Sequence, residues 1–443
     1  MQIKLSDHFN YPRLLRFVLP SVAMMIFTSI YGVVDGFFVS NFVGKTAFAA
    51  VNLILPLPMG LAAIGFMIGT GGSALVSKTL GEGKKETANE YFSMLIYFTV
   101  ITGIIFSIIA IIFLPAIARA MGADEQMLED CVLYGRILLV SDTLFMLQNA
   151  FQSFFVAAEK PRIGLVVTLI TGFTNMVLDA LFIAVFRWGV AGAALATATS
   201  QLTGGTIPII YFARKNKSLL RLIKTPFRLR PILRACANGC SELMTNLSLS
   251  IVNIAYNFQL MKLIGENGVA AYGTILYVNL IFIGVFLGYS IGVAPIVGYH
   301  DGMKNYDELK SLFRKSLLII GILGVILTGA AEASAGLLAK IFVGYDPVLY
   351  DMTKHGFRLY SFAFLIIGFN IFGSAFFTAL NDGAVSATIS FLRTLVFQLA
   401  TVFTLPLLLK LDGVWLSIVV AESLSLLVTA TFFITKRKKY HYY

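Results

Sequence analysis

The chain alternates long apolar stretches with short polar connections along almost its whole length. A stretch of about 20 apolar residues is long enough to cross the hydrocarbon of a bilayer as an α-helix. Polar residues, glycines and prolines separate twelve such stretches, which predicts an all-α protein with twelve transmembrane helices. The predicted spans are residues 14–40, 47–77, 91–115, 131–158, 162–186, 190–213, 232–262, 268–298, 313–334, 353–380, 384–409 and 413–435.

Composition agrees with a polytopic membrane protein. Of the 443 residues, 58% are hydrophobic and only 13% are charged, far too few charges to cover the surface of a soluble protein of this length. Cys131, Cys236 and Cys240 lie in or beside apolar segments at no paired spacing, so we expect neither a disulfide framework nor a metal site. The first apolar run is too long for a signal peptide and is expected to be the first spanning helix.

The distribution of Lys and Arg predicts the orientation. Of the 34 basic residues, 24 fall on the side of the two termini and 9 on the opposite side of the predicted spans. Basic residues accumulate in cytoplasmic loops, so both termini are predicted to be cytoplasmic. The net charge of +11 is therefore explained by topology and by contact with membrane lipid, and nucleic-acid binding is not supported.

The chain also repeats itself at a separation of about 220 residues. The matching pairs are Gly65-x-x-x-Gly69 with Gly284-x-x-x-Gly288 at 219 positions, and Phe154-Phe155-x-Ala157 with Phe376-Phe377-x-Ala379 at 222 positions. Small-residue packing, common to helical bundles, is the alternative explanation for each pair taken alone. Together they predict two six-helix halves, residues 1–213 and 232–443, with a basic tail on the second and a basic cytoplasmic connector at 214–231. Two such halves with a binding region between them are typical of transporters.

Carboxylates within predicted spans are the candidate functional groups. A carboxylate in hydrocarbon costs several kcal/mol unless it is protonated or partnered, so Asp35 and Asp179 are functional candidates. Asn175 and Asp179 lie four residues apart and share one helical face. Alternating insertion places Asp35, Asp179 and Thr197 at a comparable depth, where their oxygens suit a proton or Na⁺. Alternatively, each polar group only joins neighbouring helices by hydrogen bonds.

Other polar positions have less specific interpretations. The fourth span carries Asn149 and Gln152, and Pro20 removes a backbone donor, so the first helix is expected to bend there. In the second half, Glu242 either contacts substrate or is a helix N-terminal acid stabilised by the helix dipole. Further acids within spans are expected to form structural ion pairs with nearby arginines. These acids are Asp142 and Glu422, and the arginines are Arg136 and Arg393.

These residues together resemble the multidrug and toxic compound extrusion (MATE) family, in particular its bacterial DinF-like branch. The resemblance rests on the spacing from Pro20 to Asp35, on the Asn175-x-x-x-Asp179 pair and on Thr197, and it covers essentially the whole chain. It implies two lobes in a V-shaped bundle, in the inner membrane of a bacterium, as a monomer. It also implies export of small organic cations in exchange for H⁺ or Na⁺, with no other cofactor.

The resemblance further assigns roles to residues. Asp35, Asn149, Asn175, Asp179 and Thr197 would couple the cation, and Asp35 and Asp179 would ligate metal only if that cation is Na⁺. The helix would bend at Pro20 when this cluster is protonated. Gln152 and Glu242 are possible substrate-lining residues. Some members of the family carry an acid deeper in the seventh helix, where this chain has Asn246, Leu249 and Asn253.

Two other functions remain open at this point. A flippase for a lipid-linked oligosaccharide belongs to the same wider superfamily, but it would be expected to have fourteen spans and a central group of arginines. A receptor or scaffold in the membrane would be expected to carry large soluble appendages. No arrangement of nucleophile, base and acid indicates an enzyme, and the Gly69-Thr70-Gly71-Gly72 run lacks the lysine of a phosphate-binding loop.

Overall fold

The computed structural model describes residues 3–43 and 45–443, where it contains helices and no strands. The α-helices are α1 (Tyr11–Phe42), α2 (Lys45–Ile54), α3 (Pro56–Gly81), α4 (Lys85–Ala120), α5 (Glu125–Ala157), α6 (Pro161–Asp179), α7 (Gly189–Ala213), α8 (Leu229–Ile264), α9 (Glu266–Gly302), α10 (Tyr306–Val343), α11 (Pro347–Ser361), α12 (Phe364–Ala379), α13 (Gly383–Phe391) and α14 (Phe397–Tyr440). Two π-helical segments, Ala180–Val185 and Leu392–Val396, follow α6 and α13.

These helices make twelve crossings, which confirms the predicted number. Eight helical stretches of the described chain are long and apolar enough to span a membrane, and α11 with α12 forms a ninth that is bent by 49°. One of the eight, Gly383–Tyr440, contains two crossings because the backbone leaves the helical conformation at Lys410 (φ 51°, ψ −125°). The two remaining crossings, α5 and α7, are long helices that bury several polar side chains.

The helices extend beyond the predicted spans. For example, α10 has 38 residues, whereas the apolar pattern predicts only residues 313–334. The extra residues before 313 are mostly polar and can project past the hydrocarbon, whereas those after 334 are mostly apolar and lengthen the span beyond the predicted end. α1 likewise runs without interruption from Tyr11 to Phe42, with Pro20 inside it. The bend predicted at Pro20 therefore remains a prediction about another state of the protein.

The two π-helical segments were not predicted. Each lies in the fifth crossing of its half of the chain, the first directly after Asp179 and the second around Arg393. A π-helical turn shifts the register of the backbone hydrogen bonds, and such turns are frequent at functional sites. Hydrophobic periodicity does not reveal them, because one extra residue per turn changes the apolar face only locally.

Glycines allow the two halves of the chain to approach closely. Gly71 of α3 and Gly239 of α8 lie against each other, so closely that a Cβ on Gly239 would be 2.9 Å from the Gly71 nitrogen. Gly288 of α9 packs in the same way on Val22 of α1. The repeated Gly-x-x-x-Gly motif does not make equivalent contacts in its two copies, because Gly65 packs on Met146 of α5 within its own half.

We expect Gly71→Ala to destabilise the protein. The added methyl would meet the backbone of α8 and force α3 and α8 apart, at a cost of about 1–3 kcal/mol for overpacking. Gly60→Ala is the matched control, because a Cβ at this position of the same helix meets nothing within 4 Å. It should be neutral or slightly stabilising. Thermal unfolding in detergent compares the two, and equal melting temperatures would show that α3 and α8 have room to adjust.

The two halves also meet on the side of the chain termini. Lys78 at the end of α3 forms an ion pair with Asp301 at the end of α9, with 2.8 Å between Nζ and Oδ2. The segment before α1 bridges both halves as well. The Leu5 N–H donates to Glu159 (2.6 Å), after α5, and the Phe9 N–H donates to Glu308 (2.8 Å), in α10. Contacts between the halves therefore close this side of the protein.

Candidate ion-coupling site and central cavity

Four of the predicted coupling residues come together where α1, α6 and α7 meet. The Thr197 hydroxyl donates to Asp35 Oδ1 at 3.4 Å. The Asp35 carboxyl also interacts with the side chains of Asn175 and Asp179. The i, i+4 spacing of Asn175 and Asp179 on α6 directs both side chains to α1, as their shared face predicts. The structure thus juxtaposes two acids, an amide and a hydroxyl from three helices.

The two carboxyls differ in their surroundings. Asp179 is fully buried, and neither of its carboxyl oxygens has a hydrogen-bond partner among the described residues. Asp35 is half-buried. Two negative charges this close together inside a membrane repel each other and lack solvation, so the pair requires a proton or a cation for charge balance. Oxygens without a donor are the atoms that can accept that proton or ligate Na⁺, and the residues present fit either ion.

The sequence did not indicate two other residues of this site, Tyr134 and Tyr31. Tyr134 of α5 is buried, lies within hydrogen-bonding reach of Thr197, and interacts electrostatically with both carboxyls. Tyr31 interacts with Asp35 and with the side chain of Gln148. Tyr31 could have been found, because it precedes Asp35 by four residues and shares its helical face. Tyr134 could not, since only the tertiary packing of α5 against α6 and α7 brings it near Thr197.

Asn149 and Gln152, also predicted for the site region, point elsewhere. The Asn149 amide donates to the Ala62 carbonyl of α3 at 3.4 Å, which is the interhelical contact of the alternative interpretation. Gln152 lines a small enclosed space between α5, α6 and α7, together with Gln148 and Thr168. Both side chains therefore lie away from the carboxyl pair, and a coupling role for Asn149 remains a prediction.

A central cavity of about 150 Å³ lies between the two halves of the chain. Its walls come from α1, α3 and α5 on one side and from α8, α9 and α12 on the other. Most of the wall is apolar, and Glu242 is the only charged residue among the described lining residues. Drug-sized ligands usually occupy pockets of about 300–1,000 Å³, so this cavity must widen to hold one.

Glu242 lies well inside its helix. It is the fourteenth residue of α8, which begins at Leu229, and it is therefore about 20 Å from the helix start. The alternative of a helix N-terminal acid is wrong, because the dipole effect is confined to the first turn. The predicted span 232–262 already began ten residues before Glu242, and the observed start at Leu229 moves Glu242 three residues further from the N-terminus of the helix.

The second half buries a different polar cluster. The Arg393 Nε donates to both Glu422 carboxyl oxygens, at 2.8 and 3.0 Å. The Asn370 amide donates to the same carboxylate at 2.7 Å and accepts from the Thr429 hydroxyl at 2.9 Å. The predicted structural ion pair of Glu422 is therefore present. Asp142 does not have the predicted partner, because both of its carboxyl oxygens lack a hydrogen bond among the described residues.

Twelve spanning helices, a carboxyl pair buried within the spans and a cavity between two halves define a secondary transporter of the membrane. The chain belongs to the MATE family, since the family model MatE matches residues 20–181 and again residues 243–404. This is a family of transporters and not of enzymes.

Curated relatives and solved structures agree over nearly the full length. The multidrug export protein MepA of Staphylococcus haemolyticus is 24% identical over 93% of this chain and 91% of the relative. MepA of Staphylococcus aureus strain MRSA252 is 23% identical over 94% of this chain and 91% of the relative. A solved outward-facing multidrug resistance MATE transporter of the MOP superfamily aligns with a TM-score of 0.91 at 23% identity, covering 96% of this chain and 95% of that one. A MATE protein in complex with MaL6 aligns with a TM-score of 0.92 at 22% identity and 96% coverage of each chain. At this identity the structures show a shared fold.

Proposed function

We propose that the protein exports amphipathic cationic compounds in exchange for H⁺ or Na⁺ by alternating access. The observation that carries the proposal is the carboxyl pair of Asp35 and Asp179, whose charge must be balanced by an ion. Relatives named as multidrug export proteins support the drug-efflux activity. The same helix that carries Asp35 also contributes Met25 to the central cavity, about 15 Å away along α1.

The coupling follows from this shared helix. In the closed arrangement described above, the cavity is too small for a drug-sized ligand, and the side of the termini is sealed by contacts between the halves. Binding of a proton or Na⁺ at Asp35 and Asp179 removes a charge from the membrane interior and changes which packing of α1 against α6 is favoured. Pro20 is the position at which α1 bends in this mechanism, because it leaves a helical carbonyl without its donor.

The proposal also includes the division into lobes, the branch of the family, the orientation of the termini and the oligomeric state. Residues 1–213 and 232–443 form the two lobes, joined by the basic connector 214–231. The coupling acids in the first half and the uncharged Asn246, Leu249 and Asn253 of α8 favour the DinF-like branch. The excess of basic residues on the side of the termini supports a cytoplasmic location for both termini, in a bacterium. A monomer is part of the proposal because the resemblance to the family implies it.

Glu242 is proposed to recognise the positive charge of the substrate. It provides the cavity's only carboxylate among the described lining residues. The other lining residues are apolar side chains, such as Met25 and Phe66, that suit a flat apolar body, together with serine, threonine and asparagine side chains that can donate or accept hydrogen bonds. The flippase alternative would instead require arginines in this wall to hold a lipid phosphate. The buried Arg393 forms an ion pair with Glu422 and is not available to bind a phosphate. The described cavity therefore favours a cation.

The proposal is tested by transport of a fluorescent organic cation into proteoliposomes. Wild-type protein should move the cation when a pH gradient is imposed without Na⁺, or when a Na⁺ gradient is imposed at equal pH. Glu242→Gln should reduce transport of the cation roughly tenfold, about the value of one charge-assisted contact, and leave a neutral substrate unaffected.

The outcomes separate the functions. No movement of the cation under either gradient, together with scrambling of a labelled lipid-linked glycan, would replace the exporter by the flippase. Equal losses for cationic and neutral substrates in Glu242→Gln would remove the recognition role of Glu242 and leave export itself intact.

A further inference from the structure

A groove of about 450 Å³ opens between the beginnings of α1 and α6. Arg16 of α1 lines one side, and Lys160, just before α6, and Arg162 of α6 line the other. We propose that this groove binds the phosphate-bearing headgroup of an anionic phospholipid in the membrane leaflet on the side of the chain termini. The inference does not depend on what the protein transports.

The charges of the groove are complementary to a phosphate. Three basic side chains line it against one acid, Glu159, whose carboxylate already accepts the Leu5 N–H at 2.6 Å. Arg16 and Arg162 are exposed and form no ion pair with any residue that the structure describes. Two guanidinium groups on neighbouring helices can donate hydrogen bonds to the same phosphate from opposite sides, which suits the planar fork of arginine.

The apolar surroundings indicate a lipid. The floor of the groove is formed by the buried Phe17 and Pro20. One helical turn deeper on the same faces lie Leu19, three residues after Arg16, and Val166, four residues after Arg162, with exposed fractions of 64% and 52%. A ligand that contacts both the basic groove and the apolar surface below it must have an anionic headgroup and apolar chains. Basic pockets between helices at this depth of a membrane are typical headgroup sites.

A headgroup in this position would connect the two helices that carry the coupling acids. Asp35 lies on α1 and Asp179 on α6, and Arg16 and Arg162 are near the beginnings of the same helices. Arg16 precedes Pro20 by one helical turn. A lipid phosphate held by Arg16 and Arg162 therefore fixes the part of α1 before Pro20 to α6.

Native mass spectrometry of the full-length protein in detergent tests the inference. Phosphatidylglycerol and phosphatidylcholine are titrated separately, and the fraction of protein with bound lipid is measured. Wild-type protein should prefer phosphatidylglycerol. Each basic residue near an anionic headgroup contributes roughly fivefold to binding, so Arg16→Gln/Arg162→Gln should weaken phosphatidylglycerol binding by about tenfold or more.

Two further variants make the result specific. Lys215→Gln/Lys217→Gln removes the same charge from the connector on the same face and should bind phosphatidylglycerol like wild type. Arg16→Lys/Arg162→Lys keeps the charge and should retain most of the binding, which separates a lost site from a misfolded protein. Wild-type lipid binding by the Arg16→Gln/Arg162→Gln variant would overturn the inference. Equal affinity for water-soluble glycerophosphoglycerol would overturn the lipid assignment and indicate a site for free phosphate compounds.

Discussion

Asp35→Asn should abolish gradient-driven transport while leaving the fold intact. Asparagine has the shape of the carboxyl group but can neither bind a transportable proton nor neutralise Na⁺. A charge within a spanning helix is worth up to about 3 kcal/mol on insertion scales, which corresponds to a change of up to about a hundredfold in the balance between two conformations. Without that change, the ion gradient no longer biases α1, and the rate in proteoliposomes should fall to that of empty liposomes.

Two control variants make the loss interpretable. Asp351→Asn removes an exposed carboxylate that forms no ion pair among the described residues, and it should transport like wild type. Asp35→Glu keeps a titratable carboxyl and should retain part of the activity. Thermal unfolding in detergent should give the same melting temperature for wild type and Asp35→Asn within a few degrees. Wild-type turnover by Asp35→Asn would remove Asp35 from the coupling mechanism.

The core of this site could be predicted from sequence because its geometry is mostly local. The spacing of Asn175 and Asp179 fixes a shared face on α6, and a carboxylate at Asp35 in an apolar run requires a partner of its own. The depth of Thr197 followed from counting alternating spans. Its hydroxyl lies 3.4 Å from Asp35 Oδ1, as expected for two groups at a comparable depth in the membrane.

The rest of the site depends on packing that periodicity does not contain. Tyr134 reaches the carboxyls only because α5 packs against α6 and α7, and Asn149 faces α3 because of the rotation of α5 about its axis. The π-helical turn after Asp179 likewise has no signal in the apolar pattern. The repeated glycine motif marked close helix contacts correctly, but the sequence could not tell which neighbouring helix each copy would meet.

The repeat also supports the proposal that coupling takes place in the first half. At an offset of 222, Asp179 corresponds to Thr401, and at an offset of 221, Asp35 corresponds to Tyr256. Neither position of the second half carries an acid. Gln148 corresponds at 222 to Asn370, which binds Glu422 rather than a tyrosine. The second half therefore has an amide at the equivalent position, Asn370, but this amide binds the Arg393–Glu422 ion pair.

That ion pair leads to the largest expected effect on stability. Glu422→Gln should destabilise the protein by about 3–5 kcal/mol, because it leaves the Arg393 guanidinium charged and without its partner in the membrane interior. The side chains of Arg393 and Glu422 are only 11% and 1% exposed, so water cannot replace the lost carboxylate. The melting temperature in detergent and the yield of folded protein measure the loss.

Replacing both partners separates structure from function in the second half. An Arg393→Met/Glu422→Leu variant has no charge left to bury and should recover most of the wild-type melting temperature, because removing a whole buried pair is often neutral. If the pair is structural, this variant also exports the organic cation at the wild-type rate. A variant that melts like wild type and fails to transport would show that Arg393 and Glu422 take part in the cycle, with Glu242 as the nearby acid to which Arg393 is electrostatically coupled. A double variant that is no more stable than Glu422→Gln would contradict the stability argument itself.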